Sequence, residues 1–199
     1  MTAVVYTPPP PVPTPNPTPA PPPPSCDAAL PSGSATIFQP TQAPVGADTN
    51  RYDGGTKLVL ATVLTTTTAV DISAVRFFKA ASEGTTSHTA VIWEGGVRVA
   101  SVAFVEPCAG PKWVTVPLSF RLLAGKTYTI AIDFLIYYAK TDGWYTTQPT
   151  AVGPFTGLRS VYGLTPGQLP TGEKAGNNAA ATYWIDGEWR AGCMASSPV

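Results

Sequence analysis

The stretch Thr89-Ala90-Val91-Ile92-Trp93-Glu94-Gly95-Gly96-Val97-Arg98-Val99-Ala100-Ser101-Val102-Ala103-Phe104-Val105 decides the fold. Two runs rich in β-branched residues flank Gly95-Gly96, and a two-residue glycine link supplies the positive φ angles of a tight hairpin turn. In the second run Val97, Val99, Ser101, Ala103 and Val105 alternate with Arg98, Ala100, Val102 and Phe104, the period of an extended strand. The reading extends outward. Upstream, residues 36–38 form a short strand, residues 56–64 read TKLVLATVL with Leu58, Leu60, Thr62 and Leu64 on one face, and residues 72–79 read ISAVRFFK. Downstream, residues 113–118 read WVTVPL. Residues 127–135 read TYTIAIDFL, with Tyr128, Ile130, Ile132 and Phe134 sharing a face, and residues 182–190, TYWIDGEWR, close the series. No run keeps a period of 3.6. The number and spacing of strands predict an all-β fold, an antiparallel β-sandwich of jelly-roll type.

Residues 141–178 interrupt the pattern. Gly143, Gly153, Gly157, Gly163, Gly167, Gly172 and Gly176 are joined there by Pro149, Pro154, Pro166 and Pro170. We expect a loop-rich insertion with short strands at most, carrying Trp144, Tyr145, Phe155 and Tyr162 as exposed aromatics.

The head of the chain is different again. Residues 1–7 hold a β-prone strip, Ala3-Val4-Val5-Tyr6; residues 8–24 are dominated by proline; the sandwich domain is expected over residues 25–199. Proline fixes φ and lacks an N–H, so residues 8–24 read as an extended polyproline II arm. At about 3.1 Å per residue such an arm reaches roughly 50 Å and holds Val4, Val5 and Tyr6 beyond the surface of their own domain.

Composition narrows the function. Twelve basic residues balance twelve acidic ones, which argues against nucleic acid and against a polybasic membrane surface. No run of eighteen apolar residues exists, so no membrane span is expected. Only 12 % of residues are charged, which suits a surface covered by glycans or by copies of the same chain. The head shows no basic and apolar leader, and we expect the sequence to start at or near a mature terminus of an extracellular or cell-surface protein. Asn16-Pro17-Thr18 has the forbidden proline of an N-glycosylation site, so sugar is expected O-linked, on Thr7, Thr14 or Thr18 or on hydroxylated Pro9 and Pro10.

Cys26, Cys108 and Cys193 match no zinc or redox spacing. Terminal strands of a sandwich often lie side by side, so Cys26–Cys193 is the leading pair. Pairing of Cys108 with either partner stays open, as does a set of three reduced thiols.

Several strings recur together in one order: Val75-Arg76-Phe77-Phe78-Lys79, Ser87-His88-Thr89-Ala90-Val91-Ile92-Trp93, Val99-Ala100-Ser101-Val102-Ala103-Phe104, Gly110-Pro111-Lys112-Trp113-Val114-Thr115-Val116, Leu123-Ala124-Gly125-Lys126-Thr127-Tyr128 and Thr182-Tyr183-Trp184-Ile185-Asp186. Over roughly residues 35–190 the chain thereby resembles the bacterial family called domain of unknown function 4082. The resemblance implies a jelly-roll module of secreted and surface proteins and no established catalytic residues. The proline-rich head and the cysteines depart from the family pattern.

Chemistry-bearing residues are few. His88 is the single histidine, and a Ser-His-Asp set with Asp71 or Asp133 lacks a nucleophile elbow, so we expect a structural His88 and no enzyme. Asp48 and Asp53 lie in a Gly-rich loop where oxygen ligands suit calcium, although Asx turns explain them as well; no other cofactor is expected. Tyr137, Tyr138, Trp144 and Tyr145, with Trp184 and Trp189, suit sugar stacking, a partner surface or the core, while Trp93 and Trp113 belong to the core. The expected function is an extracellular subunit that joins copies of itself into a filament through its arm. The alternative is a carbohydrate-binding module on a Pro/Thr linker.

Overall fold

The computed structural model describes residues 22–84, 87–106, 108–173 and 180–190. Its strands are β1 (Ser25–Cys26), β2 (Ser34–Thr36), β3 (Arg51–Tyr52), β4 (Leu58–Thr66), β5 (Val70–Lys79), β6 (Ser87–Glu94), β7 (Val97–Val105), β8 (Lys112–Leu122), β9 (Thr127–Leu135), β10 (Tyr137–Tyr138), β11 (Phe155–Gly163) and β12 (Ile185–Arg190). A 3-10 turn, Gly46–Thr49, and one helical turn, α1 (Trp144–Thr147), complete the described elements.

Two five-stranded antiparallel sheets run in the orders β1-β8-β5-β12-β2 and β11-β4-β9-β6-β7, with a β3–β10 ribbon beside them. Without β1 and β11, the two four-stranded orders are those of a jelly roll, two Greek keys closed over one core. The fold expected from strand alternation is therefore present. β1 extends the first sheet beyond β8, and β11 extends the second beyond β4.

Cross-strand register sorts the side chains. Phe77 pairs with Val114 and Ile185, and Val75 with Val116 and Gly187, so these positions share the inner face. Leu60, Ile130, Ile132 and Ile92 meet them from the second sheet, all buried. Each such side chain contributes about 1.5–3 kcal/mol on burial. At Gly187 the core leaves no room for a side chain. A Cβ there would lie 2.9 Å from Ile72 Cδ1 and 3.3 Å from Ile130 Cδ1.

The outer faces are covered too. Arg76, Phe78, Trp113 and Asp186 occupy the alternate positions of the first sheet. Phe38, Trp144 and Trp184 close over them, with Phe38–Trp184 and Trp144–Trp184 ring centroids 4.9 and 4.6 Å apart. On the second sheet Val59, Ala61, Val63, Val91, Trp93, Ala131 and Val161 form a separate buried cluster against Leu169. One task of the 141–178 segment is thus to roof the second sheet.

Five expectations need correction. The insertion holds a nine-residue strand, β11, rather than short strands at most. Its alternation is masked by a bulge between Thr156 and Arg159, where Gly157 has φ +63°. Its aromatics are mostly interior, with Phe155 and Tyr145 buried and Trp144 packed on Trp184. Phe134 leaves the face shared by Tyr128, Ile130 and Ile132. A register shift sets Leu135 opposite Leu58, and Phe134 takes φ +72°. At the termini of the series, the residue 36–38 strand is Ser34–Thr36. The last strand starts only at Ile185, because Trp184 at φ +54° breaks the extended run.

Candidate functional site

A sandwich has four sheet edges, and a bare edge is a template for another strand. Three of the four are blunted. β2 is only three residues long. β11 is bulged, carries the Arg159–Glu173 ion pair at 3.0 Å, and is bridged by Gly172, which exchanges both backbone hydrogen bonds with Tyr162 at 2.8 and 2.9 Å. β8 is capped at Val114 and Thr115 by β1, and the rest of its edge carries Pro117, which has no N–H.

β7 has one such device, a bulge at Val99 near the Gly95-Gly96 turn, where Ile92 faces Ala100 and Trp93 faces Arg98; beyond it residues 100–105 run unbroken. It is nine residues long, contains no proline, and carries one charge, Arg98. It pairs with β6, and among the described residues no strand pairs with its other side. Val97 and Val105 are each 67 % exposed at its two ends. Both of its faces are largely apolar, so an added strand finds carbon on either side of the ladder.

At the Val105 end the edge opens into a groove of about 460 Å³ lined by Lys57, Ser87, His88, Thr89, Ala103, Phe104, Val105 and Phe134. The register shift in β9 builds it by turning Phe134 outward, where Lys57 Nζ lies 5.7 Å from the ring centroid. His88 forms the wall. It is buried, its ring 5.8 Å from Phe77 and 5.6 Å from Phe104, and its Nδ1 lies 3.3 Å from the Asp133 carbonyl oxygen. The Asp133 carboxylate accepts the Gly167 N–H at 2.7 Å. Burial raises its pKa, against the pull of that N–H and of Arg98. Asp71 lies in the other sheet, where Arg121 holds it at 3.1 Å. The contacts of His88 are those of a packed wall residue.

The described chain enters the domain at β1. Cys26 is disulfide-bonded to Cys108, with Cα atoms 6.1 Å apart. This corrects the Cys26–Cys193 pair. β1 lies against β8 rather than β12, with Cys26 opposite Val114, which brings it to the loop that enters β8. Cys193 lies outside the described residues. The loop is itself anchored: Glu106 accepts the Cys108 N–H at 2.7 Å, and Lys79 donates to the Cys108 carbonyl at 2.6 Å while pairing with Glu106 at 2.8 Å. Both charged side chains are almost fully buried. The root of the arm is thereby tied to β5, in the middle of its sheet. β8 packs across the sandwich from β7, so β1, where the described chain enters the domain, lies on the flank that carries the β7 edge.

The remaining sequence candidates scatter. Tyr138 and Tyr145 are buried and Trp144 is packed against Phe38 and Trp184, so they make no stacking platform. Burial pushes Tyr145 up to about 12. Tyr137 stays partly open, stacked on Tyr52 at 4.8 Å. Trp184 and Trp189 are core. Asp48 is held by Arg51 at 2.7 Å, and Asp53 takes a hydrogen bond from Tyr138, so the two proposed calcium ligands serve different partners. Asp186, wholly buried, pairs with Arg76 at 3.2 Å and accepts the Phe38 N–H at 3.0 Å; burial nevertheless pushes its pKa up to about 6. The strip residues Val4, Val5 and Tyr6 and the O-glycosylation candidates Thr7, Pro9, Pro10, Thr14 and Thr18 lie outside the described residues. No sequence signal marked β7 as bare, since edge status depends on the order of strands far apart in the chain.

The sequence profile of the family described as Domain of unknown function (DUF4082) matches residues 41–185. No curated protein matches the chain.

Proposed function

We propose that the chain, which belongs to the DUF4082 family, is an extracellular structural subunit whose bare β7 edge receives the N-terminal strip of a neighbouring copy. The observation that carries this reading is the edge itself, whose uncharged stretch over residues 100–105, beyond the bulge at Val99, has no strand on its outer side among the described residues. A donor on the same chain completes the case. Residues 3–6 are apolar and β-prone, and the proline arm keeps them from folding back onto their own domain. Docking of an arm on the next copy is a heterologous contact, and where the rotation does not close it yields an open filament. Main-chain hydrogen bonds then supply affinity and side-chain alternation supplies register. The Cys26–Cys108 disulfide supports an oxidising compartment. Low charge supports O-linked sugar on the arm, which intact mass above 20.7 kDa for native material would reveal.

Deleting residues 1–24 leaves every described strand in place and is expected to give a folded monomer that no longer polymerises. Val5→Asp places an unpaired charge in the joint and weakens assembly without unfolding the sandwich. Filaments of unchanged repeat from the truncated chain would refute the reading.

One observation favours the carbohydrate-module alternative. Tyr52, 53 % exposed, stacks on Tyr137 beside Arg51, Asp48 and Asp142, a surface aromatic with a charged rim. Binding of a defined oligosaccharide that is lost in Tyr52→Ala would move this reading ahead.

A further inference from the structure

We infer that the groove at the Val105 end of β7 is the receptor for one particular side chain, Tyr6 of the neighbouring copy, and that the donated strip runs parallel to β7. The inference rests on the edge-pairing reading and adds its direction and anchor.

The groove is mostly apolar at its floor and polar at its rim. Phe104, Val105 and Phe134 offer carbon, while Lys57, Thr89 and His88 bring hydrogen-bonding groups to the same space. That combination suits an aromatic ring ending in a hydroxyl, apolar in its body and wet at its tip. Within residues 3–6 the one such side chain is Tyr6.

Alternation fixes which residues of the strip share a face. On β7, Val102 is half-buried and Phe104 buried, on the row turned toward the core, while Ser101, Ala103 and Val105 are exposed on the other. In an added strand Val4 and Tyr6 share one face and Val5 takes the other. The groove takes Phe104 from the first row and Ala103 and Val105 from the second, so Tyr6 at the groove meets the end of the strand at residues 103–105, with Val4 on its own face and Val5 on the opposite one.

Proline fixes the direction. Residues 8–11 are all proline and follow Tyr6 by two positions. An antiparallel strip with Tyr6 at the Val105 end would lay those prolines along β7 toward Val97, where they donate no ladder hydrogen bonds. A parallel strip carries the arm off the end of the sheet past Val105. Arg98, the single charge of the edge, then lies beyond the strip. The described chain begins at Pro22, next to β8 on the same flank, so about fifteen residues separate the strip from its own domain. On the expectation that this proline-rich length is extended, it reaches along a neighbour's flank.

The experiment uses the full chain with Tyr6 replaced by photoreactive p-benzoylphenylalanine, in an equal mixture of isotopically heavy and light protein. Sedimentation and electron microscopy follow assembly, and mass spectrometry maps the adducts. The expected result is adducts between heavy and light chains at Phe104, Val105 or Phe134. In parallel, Tyr6→Ala is expected to raise the concentration needed for assembly by about tenfold or more, and Tyr6→Phe by only a few-fold. Filaments that form at the wild-type concentration in Tyr6→Ala would overturn the anchor and leave edge pairing standing. So would inter-chain adducts confined to the Val97 end. Absence of any assembly by the unaltered chain, or adducts only within one chain, would overturn both readings.

Discussion

Glu106→Gln is the substitution from which most can be learned. Lys79 and Glu106 are 4 % and 0 % exposed in their side chains, 2.8 Å apart, and together they hold the Cys108 backbone. Glutamine keeps the shape and the bond from the Cys108 N–H but removes the negative charge, leaving the Lys79 ammonium buried with the Cys108 carbonyl as its neighbour. Breaking one side of such a pair costs about 3–5 kcal/mol, because the remaining charge loses its compensation. A domain of this size has a total stability of about 5–15 kcal/mol, so the loss is a large fraction of it. In urea, with a slope of about 2 kcal/mol/M, the midpoint should fall by roughly 1.5–2.5 M. The double variant Lys79→Met/Glu106→Gln removes both charges and should recover at least about 2 kcal/mol of the loss, a coupling that a double-mutant cycle measures directly. A single substitution costing under about 1 kcal/mol, or a double variant as unstable as the sum of the singles, would refute the view that this pair secures the arm's root.

Reducing the Cys26–Cys108 bridge, which spans 82 residues of chain, should cost about 4–5 kcal/mol by the loop-entropy relation, read as a lower urea midpoint under reductant. Asp186 has a folded-state pKa near 6 against an ordinary value of 3.8. Its contribution to stability is therefore full below about pH 4 and is lost as pH rises toward and through 6. Melting curves of the wild type minus those of Asp186→Asn should show that slope between pH 4 and 6, and a difference that rises with pH would contradict it. Gly187→Ala drives a Cβ into Ile72 and Ile130 and should cost about 1–3 kcal/mol by thermal unfolding; an unchanged melting temperature would show that the sheets separate easily there.

The parts of the fold legible in the sequence are those where local pattern and tertiary environment agree. Thr127–Leu135 has the bounds its alternation predicts, and Val97–Val105 follows Gly95-Gly96 as a hairpin should. What was hidden has identifiable causes. The bulges at Gly157 and before Leu135 shift the two-residue period, which disguised β11 as loop and turned Phe134 off the face that its alternation suggested. The outer-face cluster of Trp113, Trp144, Trp184 and Phe38 draws on four distant segments, so Trp144 and Trp184 read equally well as surface platforms. Cysteine pairing followed the β1–β8 contact, which no local pattern encodes. The candidate edge was visible as a strand, but its bareness is a property of sheet order.

The central claim is that β7 gains a strand from another copy, and amide hydrogen exchange over Val97–Val105 tests it most directly. Exchange should be compared between the assembled full chain and the chain lacking residues 1–24. Alternate amides of β7 face away from β6 and are open to water in the single domain. The account predicts that these amides become strongly protected on assembly and exchange freely after truncation, while β11 and β2 change little. Equal exchange along β7 in both samples, with protection arising at another edge, would contradict it.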